Sequence, residues 1–282
     1  LPRLRSRTTR AEEADERRLA ERSAAKLRAL KFASVDNDSA LTIAVLANAG
    51  VFESGASLIG THAFLALMNQ LGFRLTPTVA TQDVDIARPR RPARATRPSV
   101  NILEILQATG LPFFEVPGLP SHQPGTSFKA RGKPLKVDLV VPAGHGPPYQ
   151  PVFIPELSAH ATALPFLDYL LESTTRALLV GRFQLIPVTV PTPVRFALHK
   201  LLVSQLRTGL DNPKISKDIL QAAALFAALG TEHHEALRDG IAEVPTGVRT
   251  RLAPAVPRVL ALLERRFPEV ADSLSPLRRP LG

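Results

Sequence analysis

A single acid, Asp138, interrupts the apolar run of "PLKVDLVVP" at residues 134–142, and that placement narrows what the chain can become. Leu, Val and Val at this density mark a buried strand. A carboxylate left alone in such a strand is costly, so Asp138 needs a cation or a metal beside it. A second strand, "DVDIA" at residues 83–87, repeats the demand. Alternation sends Asp83 and Asp85 to one face, where like charges repel. The chain as a whole carries a formal net charge of +10, which makes the pairing stand out.

The remaining sequence supplies a setting for these strands. "AEEADERRLAERSAAKLRAL" places Leu19, Ala20, Ser23, Ala24, Leu27 and Leu30 at helical spacing, with acids early and bases late, as the helix dipole prefers. This predicts a long amphipathic helix that packs on the domain or on a partner protein. After "SVDNDSA", Leu41 to Ala49 reads as a second helix ending at Gly50. "ASLIG" reads as a short buried strand and "THAFLALMNQLG" as a helix closed by Gly72. Val100 to Thr109 looks helical and "LPFFEVP" looks like a strand. "GLPSHQPGTSFKARGK" is rich in turn residues, and "AGHGPPYQP" has no periodic signal and reads as a loop. From about Ala161 the pattern becomes mainly helical: one helix in "LPFLDYLLEST", one or two strands in "ALLVGRFQLIPVTVP", then strong amphipathic helices in "PVRFALHKLLVSQLR" and "KISKDILQAAALFAALG". The expected division is residues 1–39 as helix and linker, 40–160 as an α+β catalytic-type domain, and 161–282 as a mainly helical domain with a short strand pair.

Gly60-Thr61 stands at the junction of the "ASLIG" strand and the next helix. A Gly permits close backbone approach, and a helix N-terminus offers free N–H groups to an anion. Three carboxylates on neighbouring strands beside such a turn form a hard, oxygen-rich site suited to Mg²⁺. Two ions there would grip the attacking and leaving oxygens of a phosphoryl displacement.

In "LIGTHAF", "TQDVDIA" and "VDLVVP" the chain resembles the DNA polymerase β-type nucleotidyltransferase superfamily, with its Gly-hydroxyl turn, Asp-x-Asp strand and third-Asp strand. It is similar, more narrowly, to a bacterial family with a nucleotidyltransferase fold, over roughly residues 45–230. It also resembles the AbiEii-like toxins of type IV toxin–antitoxin systems, which share the turn, the acids and a later Lys-Asp helix. The resemblance implies an α+β fold: a nucleotidyltransferase-type mixed sheet flanked by helices, followed by a mainly helical C-terminal region. It implies that Asp83 and Asp85 hold Mg²⁺, that Asp138 completes the site and helps deprotonate the acceptor, and that Gly60 and Thr61 contact the triphosphate. By the same resemblance Lys200, Lys214 and Lys217 reach the nucleotide phosphates, and Asp218 orients a neighbouring Lys or Arg. The chain departs from the commoner Gly-Ser or Gly-Gly turn in having Gly-Thr. It also has a longer interval before Asp83, filled by "FRLTPTVATQ".

Two basic segments flank the acidic centre. Arg88, Arg90, Arg91, Arg94 and Arg97 follow the Asp-x-Asp strand directly, and Lys129, Arg131, Lys133 and Lys136 lead into the Asp138 strand. Both are candidates for contact with phosphate or nucleic acid. A solvated loop is the plainer reading of the first, and GC-rich coding bias explains part of the excess of Arg. With no Trp and two Tyr, base stacking along a single strand is not indicated. His233 and His234 point about 100° apart on a helix and do not chelate together. His62 and His199 are read as packing residues in the first instance.

The expected activity is Mg²⁺-dependent transfer of NMP from an NTP, such as ATP, to a hydroxyl or phosphate acceptor, with tRNA or another RNA as the acceptor that suits the charge. The alternative is a non-catalytic nucleotide- or nucleic-acid-binding module of a toxin–antitoxin or defence pair. With no Cys, disulfides and thiolate catalysis are out, and a reducing, cytoplasmic setting is expected. No run approaches a membrane span. The sole Met is Met68, so an upstream start is expected.

Overall fold

The computed structural model describes residues 7–75, 81–90, 100–119, 123–207 and 212–278. Helix α1 (Arg7–Ala29) precedes α2 (Asn37–Asn48), whose first turn is capped by the Asp36 side chain accepting from the Ser39 N–H at 3.0 Å. Next come β1 (Ser57–Ile59), α3 (Gly60–Gln70), β2 (Asp83–Ala87), α4 (Ile102–Gln107), β3 (Phe113–Val116), β4 (Ser127–Ala130), β5 (Lys136–Pro142), β6 (Pro151–Ile154) and β7 (Ala159–Leu164). A short helix α5 (Leu167–Leu171) leads to the hairpin of β8 (Thr174–Val180) and β9 (Leu185–Pro191). Six helices follow: α6 (Pro193–Leu206), α7 (Pro213–Glu232), α8 (His234–Ala242), α9 (Thr246–Leu252), α10 (Val256–Leu263) and α11 (Pro268–Leu274). Among the described residues no helix is long and apolar enough to cross a membrane.

β1 to β7 form one mixed sheet with β5 at its centre. β5 runs parallel to β2 on one side and antiparallel to β4 on the other, and its far end pairs in parallel with β7. β5 is apolar apart from Lys136 and Asp138, as a central strand with parallel neighbours tends to be. Val84, Ile86, Phe128, Val137 and Leu139 occupy one face and are buried, joined by core residues of α2, α3 and α4. The hairpin β8–β9 packs on β1 and α3, and α6 and α7 pack against each other. This is the expected α+β architecture with a helical C-terminal region.

Three strands are absent from the expected pattern. β4 lies inside the segment read as turn-rich, and β6 and β7 fall after the "AGHGPPYQP" loop, where no strand was anticipated. "LPFLDYLLEST" holds a helix of only five residues. A boundary at residue 160 would cut between His160 and Ala161, inside β7, whose C-terminal half is hydrogen-bonded to β5; the sheet continues to Leu164.

Candidate active site

Register lays the charged residues out in two rows across one sheet face. Ile59, Asp85, Asp138 and Ser127 are successive cross-strand partners on β1, β2, β5 and β4. Two residues away along the strands, Asp83, Lys136 and Lys129 form the second row. Because side chains alternate, both rows project to the same side, opposite the core. The three acids singled out in the sequence therefore share a face, and Asp85 stands directly beside Asp138.

The turn meets this face where Ile59 pairs with Asp85. Gly60 has φ +67°, a left-handed conformation that favours Gly, and a Cβ there would run into Asp85 Oδ2. No side chain caps the start of α3, whereas α2, α4 and α7 are each capped by an Asp or Asn. The first turn of α3 therefore begins beside Asp85 with no cap from its own N-cap side chain, Ile59.

Electrostatics set Asp85 apart. Its carboxyl is pushed up to about 6, first by burial and next by the charge of Asp138, with Asp83 adding to the shift while Lys200 and Lys136 oppose it. Asp138 is better provided for: Lys136 Nζ lies 2.8 Å from its Oδ1, and the Ser127 hydroxyl donates to the same oxygen. Among the described residues no group of three His, Asp or Glu side chains forms a ready metal cage. The donor chemistry nevertheless fits a hard divalent ion, since three carboxylates share one face and Asp85 is destabilised by its own neighbours.

A pocket of about 430 Å³ opens here, lined by Gly60 and Asp85 on one side and by His199, Lys200 and Arg207 on the other. Asp218, buried on α7, accepts from Lys200 Nζ at 2.8 Å and from Arg207 Nε at 2.7 Å, so it aligns two cations along the pocket wall. Arg207 carries no regular motif that would have flagged it in the sequence. Lys217 on α7 keeps contact with solvent and feels the charges of Asp83 and Asp85; its ammonium is pushed below the usual range, by partial loss of water around it first and then by Lys200. Lys214 is exposed on the first turn of the same helix.

Two histidines line or support the site. His62 Nδ1 lies 3.1 Å from the Asp83 carbonyl, which can only accept, so Nδ1 carries the proton. Burial pushes His62 down to about 4 and His199 down to about 3; for His199 the neighbouring Lys200 adds to the effect. His62 thereby ties α3 to the start of β2, a link that sequence reading assigned to packing.

The basic segments separate. Arg88 was a candidate for contact with phosphate or nucleic acid, but its side chain is 3% exposed and lies 3.6 Å from Glu156 Oε1. Arg90 donates to the carbonyls of Pro142 (2.7 Å) and Ala143 (2.9 Å), closing the chain after β5. Arg91, Arg94 and Arg97 lie outside the described residues. Lys129 is exposed on the acidic face, one strand from Lys136, and Arg131 is exposed with its guanidinium over the Phe114 ring.

A family model described as nucleotidyltransferase matches residues 37–245. The chain belongs to this nucleotidyltransferase family. The matched span contains the turn, all three acids and the Lys200–Asp218 pair of this nucleotidyltransferase. Its structure is similar to that of an antigenic nucleotidyltransferase-like protein from Paracoccidioides brasiliensis, at 15% identity and a TM-score of 0.42, over 86% of this chain and 95% of that one. No curated protein matches the sequence.

Proposed function

We propose that this nucleotidyltransferase moves NMP from an NTP to a hydroxyl or phosphate acceptor, using Mg²⁺ held by Asp83, Asp85 and Asp138. The observation that carries the reading is the contact of Gly60 with Asp85, which sets an uncapped helix N-terminus against the acids. The first turn of α3 binds the triphosphate through its N–H groups and the Thr61 hydroxyl. Lys200 and Arg207, aligned by Asp218, neutralise phosphate oxygens from the opposite wall, and Lys217 and Lys214 extend that positive edge. An acceptor oxygen attacks the α-phosphorus, the bond to the bridging oxygen breaks, and pyrophosphate leaves. Asp138, paired with Lys136 at 2.8 Å, takes the proton of a hydroxyl acceptor. When bound, the metal supplies charge neutralisation at the attacking and leaving oxygens. An RNA end, such as that of tRNA, suits the net charge of +10 and the exposed Lys129 and Arg131.

Incubation with α-labelled NTPs, Mg²⁺ and total RNA tests the reading. Label should appear on a macromolecule and vanish with Asp83→Ala/Asp85→Ala; equal labelling by that variant contradicts it.

A second reading, a nucleotide- or nucleic-acid-binding module of a toxin–antitoxin or defence pair, is favoured by one observation: Asp138 already has an ammonium partner. It requires binding that survives loss of the acids and weakens steeply with salt. The exposed Leu19 and Leu30 on and just after α1 support a partner protein at that helix. Deleting residues 1–34 should then abolish the complex.

A further inference from the structure

With no Trp and two Tyr, the sequence gives little sign of base stacking, yet the fold gathers exposed aromatic surface at one edge of the acidic face. Beyond the C-terminal half of β5 the sheet continues through β7 to β6. Thr162 on β7 pairs with Val140, two residues past Asp138, so Thr162, His160 and Leu164 project to the side of the acids. Phe153 on β6 is the cross-strand partner of His160 and shares that side. Its ring is 54% exposed and lies 5.0 Å from the His160 ring. Just before β6, Tyr149 lines the pocket together with Gly60, Asp85 and Leu164. Its N–H donates to the Ala163 carbonyl at 2.6 Å, while the Ala163 N–H donates to the Gln150 carbonyl at 2.9 Å. Two residues thus oppose one, the pattern of a β-bulge. Tyr149 takes the left-handed place in it, with φ +65°, where Gly is the usual residue. A bulky side chain there strains the backbone, and burial does not offset the strain, because Tyr149 is 58% exposed.

We propose that Tyr149 and Phe153, with His160 against Phe153, form a stacking platform for unpaired bases at the end of a single-stranded nucleic-acid acceptor. This rests on the nucleotidyl-transfer reading and names the acceptor class of that site. In-line displacement puts the acceptor and the leaving pyrophosphate on opposite sides of the α-phosphorus. The triphosphate turn follows β1, so the acceptor approaches from the side of β5, beyond which lie β7 and β6. Charge complements the rings: the chain carries a net +10, and Lys129 is exposed on the same face. An ordinary cross-strand pair accounts for Phe153 and His160 taken alone. It does not account for a strained, exposed Tyr at the pocket. Aromatic faces accept any base, so the platform selects an unpaired end rather than a sequence.

Fluorescence anisotropy of the full-length chain with a fluorescein-labelled single-stranded RNA decamer, and with a duplex of the same strand, tests the platform. Tyr149→Gly relaxes the backbone, so its melting temperature (Tm) should hold or rise, yet single-strand binding should weaken about tenfold. Phe153→Ala should weaken it to a similar degree. Phe183→Ala removes an equally exposed ring from the turn between β8 and β9 and should bind as wild type does. A duplex buries its base faces, so its binding should not change in any of these variants. Unchanged single-strand affinity in Tyr149→Gly/Phe153→Ala overturns the proposal, as does an equal loss for strand and duplex. Transfer from α-labelled NTPs to the same decamer separates the two levels. If Asp83→Asn/Asp85→Asn abolishes transfer while the ring variants transfer like wild type, nucleotidyl transfer stands and the platform falls. Label on protein instead of RNA also overturns the acceptor class alone. No transfer by wild type to any acceptor defeats the nucleotidyl-transfer reading itself, and the platform's role falls with it.

Discussion

Asp85 and Asp218 are both carboxylates drawn out of water, and the fold treats them in opposite ways. Asp218 on α7 is met by Lys200 and Arg207, one cation for each oxygen. Asp85 on β2 is raised to about 6 by burial first and then by Asp138, with Asp83 adding, against the pull of Lys200 and Lys136. A satisfied acid organises its neighbours. One crowded by other acids has a perturbed carboxyl of the kind that marks functional sites. Asp85 lines one wall of a pocket whose other wall carries Lys200 and Arg207, the two cations that Asp218 holds from behind.

Substitutions should separate the two acids. The largest effect is expected from Asp83→Asn/Asp85→Asn, which should lower NMP transfer by on the order of 10³-fold while leaving the fold intact. A radiolabel-transfer assay with a parallel melting curve checks both halves. Asp218→Ala should do the reverse and act first on stability. It leaves Lys200 and Arg207 without their buried partner and should cost about 3–5 kcal/mol, read by urea denaturation. Gly60→Ala combines a strained left-handed φ with a clash against Asp85, at about 1–3 kcal/mol, and should also weaken NTP binding in a titration.

The pH dependence of Asp85 follows from its direction of shift. Its folded carboxyl is raised from 3.8 to about 6, so below about pH 4 it is protonated in both folded and unfolded states and carries no charge penalty. As pH climbs from about 4 to about 6 the penalty develops, and it persists above that range. In metal-free buffer Asp85→Asn should therefore raise Tm near neutral pH, by roughly 2–4 °C per kcal/mol recovered, and leave it unchanged near pH 4. Equal Tm shifts at both pH values would show that Asp85 is not held in this conflict. The smallest effect is expected of Arg90→Ala, about 1 kcal/mol in stability through two lost carbonyl contacts, with no change in the salt dependence of nucleic-acid binding. A changed salt slope would return Arg90 to the phosphate-contacting set.

These contrasts were unevenly legible in the sequence. The strands bearing Asp83, Asp85 and Asp138 stood out because acids break an apolar pattern, and the Gly60 turn because Gly precedes a clear helix. β4 was hidden, since four residues with Ser and Lys on one face look like the turn around them. β7 was hidden by Ala, His and Thr, whose burial comes from the strands beside them. Arg90 read as a phosphate contact because its carbonyl partners lie more than fifty residues away. Lys136 was grouped with a surface basic cluster, although its spacing of two from Asp138 already placed both on one strand face. What local pattern cannot supply is register, and register decides that Asp85 meets Asp138 and Lys136 meets Asp83.

The central claim is that Asp85 is crowded by Asp138 and Asp83 because its face receives a divalent ion. A ligand that binds only the folded state raises its stability by mass action. The most direct test is thermal unfolding of wild type and Asp83→Asn/Asp85→Asn with and without saturating MnCl₂. The account predicts that Mn²⁺ raises the Tm of wild type and leaves the variant unmoved. The same shift in both proteins, or none in wild type, would contradict it.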